Sequence, residues 1–437
     1  MVTVTALAAA MLTLTTTAGT AQADPAIPGT YNTVRPTRLL DTRAGLGTTK
    51  MPLAAGGTLS FDAVSGLPGP VGSVALTVTV VRPAGGGFLT VYPTGVTRPL
   101  ASTINFVPTR TLVNSTVVPV GTGGNVSVYN GSNGTVEVIA DITGWWTAGT
   151  VDPGTAGAVN TISPARLYDS RISPGVPARA RVTTKVPVLG HGGVPSSNVS
   201  AVVVNVTVTS PKAAGYLTGG SEAPQAGSLL TATLSFQAGA TRGNMAVLPL
   251  NPDGTVAIYN GSSGTSHIVV DVMGYFNDGP PAADGALVPT TVYRAADTRR
   301  ESAGPIPALT TRTIQLLPND GTALIFKALA VNITVTRPQS AGFITAWDGA
   351  TPLPPTANNS FRFGEDAASA TLVPINPDGT ITVYNGSFGT LDVVVDVSGF
   401  VLTDLTLNVA KTGVAKASTA SVLADAIARA KAFAARH

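Results

Sequence analysis

The residues best placed for acid–base chemistry are carboxylates that return three times in one chain. Arg38, Asp41 and Arg43 form an R-x-x-D-[TS]-R string. Arg166, Asp169 and Arg171 repeat it, and Arg294, Asp297 and Arg299 repeat it again at equal spacing. A second carboxylate follows in each copy, Asp141, Asp271 and Asp396, inside D-[IV]-x-G. Two carboxyls about 5–10 Å apart can hydrolyse a glycosidic bond. The neighbouring arginines argue against that chemistry, because a guanidinium lowers a carboxyl pKa and favours an ion pair over a poised general acid. The strings therefore read as structural. Arg43, Arg171 and Arg299 are the arginines expected to pair with Asp141, Asp271 and Asp396, tying the first strand of each unit to its last.

Other catalytic constellations are missing from the sequence. The three histidines, His191, His267 and His437, are far apart and unmatched between copies, and no H-E-x-x-H occurs. Cysteine is absent, which excludes disulfides, thiolate metal sites and a Cys nucleophile. There is no G-x-S-x-G elbow, phosphate-binding loop or dinucleotide fingerprint. The N-P-D-G strings at 251–254 and 376–379 lack the alternating acids of a calcium loop and read as turns. His267 corresponds to Glu137 and Asp392, which marks a solvated strand position rather than a base. No catalytic residue, metal or cofactor is expected, and the chain reads as no enzyme.

The aromatics, 12 Phe, 9 Tyr and 3 Trp, suggest binding instead. Tyr129, Tyr259 and Tyr384 each open a Y-N-G-S string, and rings near strand ends can stack on the apolar faces of sugars. The competing reading is a tyrosine whose hydroxyl pins a turn. Tyr92 and Trp347 occupy a position that is Gly220 in the second copy, as expected of a ligand-facing loop on a constant scaffold. Trp145 and Trp146 end the first unit and could fill a contact between units.

These residues need strands to hold them. Val204, Val206 and Val208 alternate with Asn205 and Thr207, and Val331, Ile333 and Val335 alternate with Asn332 and Thr334. Period-two patterning with β-branched residues predicts half-buried strands. Roughly seven or eight short strands per unit suit a sandwich or barrel. The expected fold is all-β: three tandem β-sandwich-like repeat domains, at 30–147, 160–277 and 288–402, each closing its own core, and a short C-terminal helix. That helix belongs to a basic tail, 403–437, where Ser418 or Thr419 can cap and Leu423, Ile427, Ala430 and Ala434 share one face.

The strings R-x-x-D-[TS]-R, [LV]-[TN]-[VI]-T-V, Y-N-G-S and D-[IV]-x-G resemble a tandem repeat module of secreted actinobacterial proteins, found alone or attached to extracellular hydrolases. The resemblance covers about residues 31–402. It implies an extracellular, non-catalytic role such as wall or glycan binding, and it transfers no catalytic residue. The third copy departs from the pattern with Ala295 and Ala296 where the others carry large residues.

Charge and the N-terminus agree with that setting. The net charge is +3, and the tail carries all of it, with Lys411, Lys416, Arg429, Lys431 and Arg436 against Asp404 and Asp425, leaving residues 24–402 neutral. No basic excess remains to hold nucleic acid. Residues 1–23 read as a signal peptide, with an apolar run and an Ala21-Gln-Ala23 cleavage pattern but no basic residue ahead of it. No other stretch is long and apolar enough to span a membrane. The sequence therefore predicts a secreted repeat protein, free or associated with the cell surface, that binds a cell-wall or environmental polysaccharide, or a surface protein. The alternatives are a structural or self-associating surface protein with no small ligand and an extracellular carbohydrate-active enzyme. Oligomeric state is left open.

Overall fold

A computed structural model describes residues 31–148, 158–172, 175–220, 231–278, 285–403 and 419–436, with side chains from Ser421 in the last segment. The expected signal peptide, the Ser418 cap, Lys411, Lys416 and His437 lie outside the described residues. Apart from two short turns of 3-10 helix and one C-terminal helix, the regular structure described is β-strand, as the alternation predicts.

The first repeat contains β1 (Tyr31–Asp41), β2 (Thr58–Asp62), β3 (Val71–Val81), β4 (Gly87–Pro93), β5 (Ile104–Phe106), β6 (Leu112–Pro119), β7 (Asn125–Asn130) and β8 (Glu137–Thr147). The second contains β9 (Val159–Asp169), β10 (Thr183–Pro187), β11 (Val199–Thr209), β12 (Gly215–Gly220), β13 (Leu234–Phe236), β14 (Arg242–Pro249), β15 (Thr255–Asn260) and β16 (His267–Asn277). The third contains β17 (Leu287–Asp297), β18 (Thr311–Gln315), β19 (Phe326–Thr336), β20 (Gly342–Trp347), β21 (Asn359–Phe361), β22 (Ala367–Pro374), β23 (Thr380–Asn385) and β24 (Asp392–Leu402). Each repeat builds two four-stranded antiparallel sheets with the same order. In the first repeat these are β1-β8-β3-β6 and β2-β7-β4-β5. The six sheets form a propeller-like ring.

Each repeat has a core drawn from both of its sheets, for example Leu76, Val78 and Val80 facing Leu89, Val126 and Val128. A fourth cluster belongs to no single repeat. Ala75, Val117 and Trp146 meet Ala201, Met245 and Phe276 there, together with Ala330, Ala370 and Leu372. Tyr31 stacks on Phe276 at 4.1 Å and lies 4.8 Å from Trp146. Trp146 thus fills the contact between repeats anticipated for the Trp pair.

This cluster changes the expected picture of three tandem units. β3, β11 and β19 are buried on both faces, not half-buried. Their apolar face lies in the repeat's own core, and the small and polar face packs against the other repeats. A strand buried on both faces needs no solvent-facing side, so Thr and Asn in these strands mark an inter-repeat surface.

The helix α1 (Thr419–Ala434) docks on the third repeat. Leu423, Ala426, Ile427 and Ala430 enter its core beside Ala323 and Ile325. Three of the four expected apolar positions are buried and Ala434 is half-buried.

Candidate functional site

The recurrent carboxylates are gripped by the first arginine of each string, not by the second. Arg38 Nε donates to Asp141 at 2.8 Å, Arg166 Nε to Asp271 at 2.7 Å and Arg294 Nε to Asp396 at 3.0 Å. The expectation that Arg43, Arg171 or Arg299 would hold these carboxylates is corrected. Those arginines turn back on Asp41, Asp169 and Asp297, with Nε–O distances of 2.9, 2.8 and 2.7 Å. The reason lies in register: Arg38, Arg166 and Arg294 stand directly opposite Asp141, Asp271 and Asp396, whereas β1, β9 and β17 end before the second arginine.

Two electrostatic classes result. Asp41 and Asp169 are held below the ordinary carboxylate range by their arginines, Asp169 at about 2. At Asp297 burial pushes upward, but Arg299 and Arg294 outweigh it and the net shift is down. Asp141, Asp271 and Asp396 are raised, because burial outweighs the paired arginine. At most 2 % of each of these three residues is exposed.

The carboxylates receive backbone N–H groups from the next repeat instead. Ser102 N of the first repeat donates to Asp396 of the third at 3.1 Å. Ala232 N of the second repeat lies against Asp141 of the first, and Ala357 N of the third against Asp271 of the second, each drawing the carboxyl pKa down against the effect of burial. The three contacts form a closed cycle, each repeat grasping one neighbour. Asn332 Nδ2 adds a 2.6 Å bond to Ser102 O, and Asn205 Nδ2 a 2.6 Å bond to Ala357 O. The first repeat carries Thr77 at that position. Elsewhere on the same junction, Glu365 of the third repeat is shared by Arg110 of the first and Arg242 of the second.

The middle hydroxyl of each string is a latch. Ser170 Oγ accepts Ile268 N at 2.9 Å and lies 3.0 Å from His267 Nδ1. Thr42 and Thr298 do the same with Val138 and Val393, facing Glu137 and Asp392. Ser170 is buried, so the Ser–His contact is the counterpart of a hydroxyl–carboxylate pair. The strand position of His267 is also less solvated than expected, being half-buried.

The Y-N-G-S string combines a lock with an exposed ring. Asn130 Nδ2 donates to Leu53 O, Ala54 O and Gly134 O, while its Oδ1 accepts from Ser132 N and Oγ. Asn260 and Asn385 repeat the pattern. The glycine is required by close approach: a Cβ on Gly131, Gly261 or Gly386 would lie 2.3–2.4 Å from the ring of Phe88, Tyr216 or Phe343. Each of these rings accompanies the string's tyrosine. Phe88–Tyr129 and Phe343–Tyr384 are both 6.2 Å apart and tilted, and Tyr216 stands two residues before Thr218, the residue paired with Tyr259. Tyr129, Tyr259 and Tyr384 are all half-buried.

Tyr92 and Trp347 do not join them. They are 8 % and 5 % exposed, because the loop after β4 or β20 folds back over that face. Thr90 Oγ1 bonds Ala101 O at 2.6 Å and Thr345 Oγ1 bonds Thr356 O at 2.5 Å, while Trp347 Nε1 donates to Thr351 O at 2.9 Å. The five rings therefore do not form one exposed face. The partner rings Phe88, Tyr216 and Phe343 were the missed residues. Their signal was present, since G-[FY]-[LI]-T recurs in all three copies.

A cleft of about 220 Å³ opens between the first and third repeats, lined by Phe88, Arg98, Asn105, Arg294 and Thr334 among others. The Arg98 guanidinium sits 3.8 Å above the centre of the Tyr129 ring. Among the described residues no cluster of His, Asp and Glu could hold a metal ion, and no helix is long and apolar enough to cross a membrane.

No family model and no curated protein matches the chain. Two solved structures align over most of their length. One is described as "The Triple Jelly Roll Fold and Turret Assembly in an Archaeal Virus": 9% identity, 86% of this chain, 90% of that chain, TM-score 0.16. The other, of Sulfolobus Turreted Icosahedral Virus, has 9% identity, covers 86% of this chain and 91% of that chain, and has a TM-score of 0.16. Similarity this low carries no argument about fold or function.

Proposed function

We propose that the chain is a secreted, non-catalytic repeat protein of the actinobacterial type, whose three β-sandwich-like units bind polysaccharide at a cell surface or in the environment. The observation that carries this reading is the pair of aromatic positions repeated on the second sheet of every unit, Phe88 with Tyr129, Tyr216 with Tyr259, and Phe343 with Tyr384, the first and third pairs in ring contact. Half-exposed rings supply flat apolar surface for sugar C–H faces. A rigid ring holding three such pairs suits a polymer, because a second contact on one chain costs little further entropy. The deep burial of Asp141, Asp271 and Asp396 supports a structural rather than hydrolytic use of the recurrent acids.

A protein-binding or self-associating role is the second reading. It rests on Phe363 and Phe388, 69 % and 84 % exposed, which only the third repeat carries.

Co-sedimentation of the full chain with insoluble glucans, chitin and peptidoglycan tests the proposal. The wild type is expected to sediment with at least one polymer, and the combined Tyr129→Ala, Tyr259→Ala, Tyr384→Ala variant to stay in solution. Absence of wild-type binding to every polymer, or equal binding by the variant, contradicts it.

A further inference from the structure

The three junctions between repeats are built alike but differ at one point. At the junction of the second and third repeats, Arg166 Nη2 is capped by Pro355 O at 3.1 Å. At the junction of the third and first repeats, Arg294 grips Asp396 in the same way, but no carbonyl of the 98–102 loop caps it. Its other terminal nitrogen lies 3.7 Å from Asp297, against 3.0 Å between Arg166 and Asp169. The cleft of about 220 Å³ lies here, and Arg294 lines it.

The charges around the cleft can be assigned one by one. Arg299 is held by Asp297 and also attracts Asp366, the one carboxylate of the lining, which accepts the Arg337 backbone N–H. Arg98 is exposed and has no carboxylate partner among the described residues. Its guanidinium lies over Tyr129 instead, which leaves the N–H edge of the fork for a ligand. Phe88 provides an apolar wall, and Asn105, Thr334 and Thr336 provide neutral hydrogen-bonding groups. The volume is below the roughly 300–1,000 Å³ of sites for drug-sized ligands, so one ring fits better than a chain.

We infer that this cleft is a subsite for a sugar residue bearing a carboxylate, a uronic acid of an acidic polysaccharide, with Arg98 as its anchor. The inference rests on the polysaccharide-binding reading and narrows it to one class of sugar at one junction. The carboxylate pairs with the Arg98 fork, the ring packs on Phe88, and the hydroxyls meet Asn105 and the two threonines. The junction of the second and third repeats cannot offer this site, because Leu353 stands where the first repeat carries Arg98.

Affinity electrophoresis of the full chain tests this, with polygalacturonate, a neutral galactan or dextran sulfate cast in the gel. The expected result is retardation by polygalacturonate that free glucuronate competes away and glucose does not. Arg98→Ala is expected to weaken it about tenfold or more. Arg98→Lys, which keeps the charge but not the planar fork, does not restore it, and Tyr259→Ala in the second repeat retains it. Equal retardation by dextran sulfate with full rescue by lysine overturns the inference in favour of general charge attraction. Retardation by the galactan alone, unchanged in Arg98→Ala, overturns the inference and leaves the broader proposal standing. No retardation by any of the three polymers overturns the inference, and the broader proposal then stands or falls on the sedimentation result.

Discussion

Replacing Arg166 by alanine is expected to destabilise the protein far more than replacing Arg171, although both belong to the same string. Arg166 gives two hydrogen bonds to Asp271 and one each to Asp169 and Pro355 O. Its removal leaves a carboxylate that is 2 % exposed without its cation. Breaking a buried pair on one side costs about 3–5 kcal/mol. The Asp271 pKa is already raised by burial, so proton uptake limits the cost to the low end, about 3 kcal/mol. Arg171 has a side chain 49% exposed, and its partner Asp169 keeps the Arg166 contact at 3.0 Å. Its loss should cost only about 1 kcal/mol, because Arg166 and the backbone N–H of residue 171 still hold Asp169. At about 2.1 cal/mol/K per residue, a cooperative unit spanning residues 31–403 shifts its Tm by roughly 4 °C for about 3 kcal/mol. Thermal unfolding at pH 7, followed by tryptophan fluorescence, should show a drop of about that size for Arg166→Ala and at most about 1 °C for Arg171→Ala. Equal shifts, or a larger one for Arg171→Ala, would refute the assignment of the arginines.

Three further outcomes follow from the same geometry. Asn260→Asp keeps the shape but replaces the two N–H donors with acceptors facing Ala178 O and Gly264 O; a loss of about 3 kcal/mol or more in urea unfolding is expected, and a neutral result would contradict the lock. Asp169 has its pKa lowered to about 2 in the folded state by Arg171, below the unfolded value of about 3.9. Its contribution is therefore complete above pH about 4 and lost as pH falls toward 2; Asp169→Asn should reduce the decline in urea midpoint over that window, and an unchanged decline would count against it. Ile427→Ala should cost about 2–4 kcal/mol of helix docking, seen as faster tryptic cleavage at Arg429 and Lys431 while the repeats stay folded; unchanged cleavage would contradict a docked helix.

The strands, turns and repeats were legible because their signals are local. Val204, Val206 and Val208 alternate whatever surrounds them, and N-P-D-G builds its own turn. The spacing of Leu423, Ile427 and Ala430 likewise placed the buried face of the helix. The ring was not legible, because its surfaces are made by contacts between residues hundreds of positions apart. Asn205 and Asn332 read as a solvent face and instead bond loops of the following repeat. The choice between Arg38 and Arg43 depended on where β1 ends, and strand ends are poorly marked in sequence. At the candidate site, the recurrence of Y-N-G-S singled out the tyrosines, which are half-buried. It could not show that the loops after β4 and β20 fold back over Tyr92 and Trp347. Arg98 carries no motif at all, and only its position over Tyr129 gives it meaning.

The recurrent acids close three repeats into one ring by facing the backbone N–H groups of the next repeat. Hydrogen exchange at the amides of Ser102, Ala232 and Ala357 tests it most directly, since each lies in a loop segment before a short strand. If Asp396, Asp141 and Asp271 hold them, these amides exchange as slowly as core-strand amides such as Val204 and Ile333, at the free energy of global unfolding. Exchange at the fast rate of open loops, with the core strands still protected, would contradict the ring.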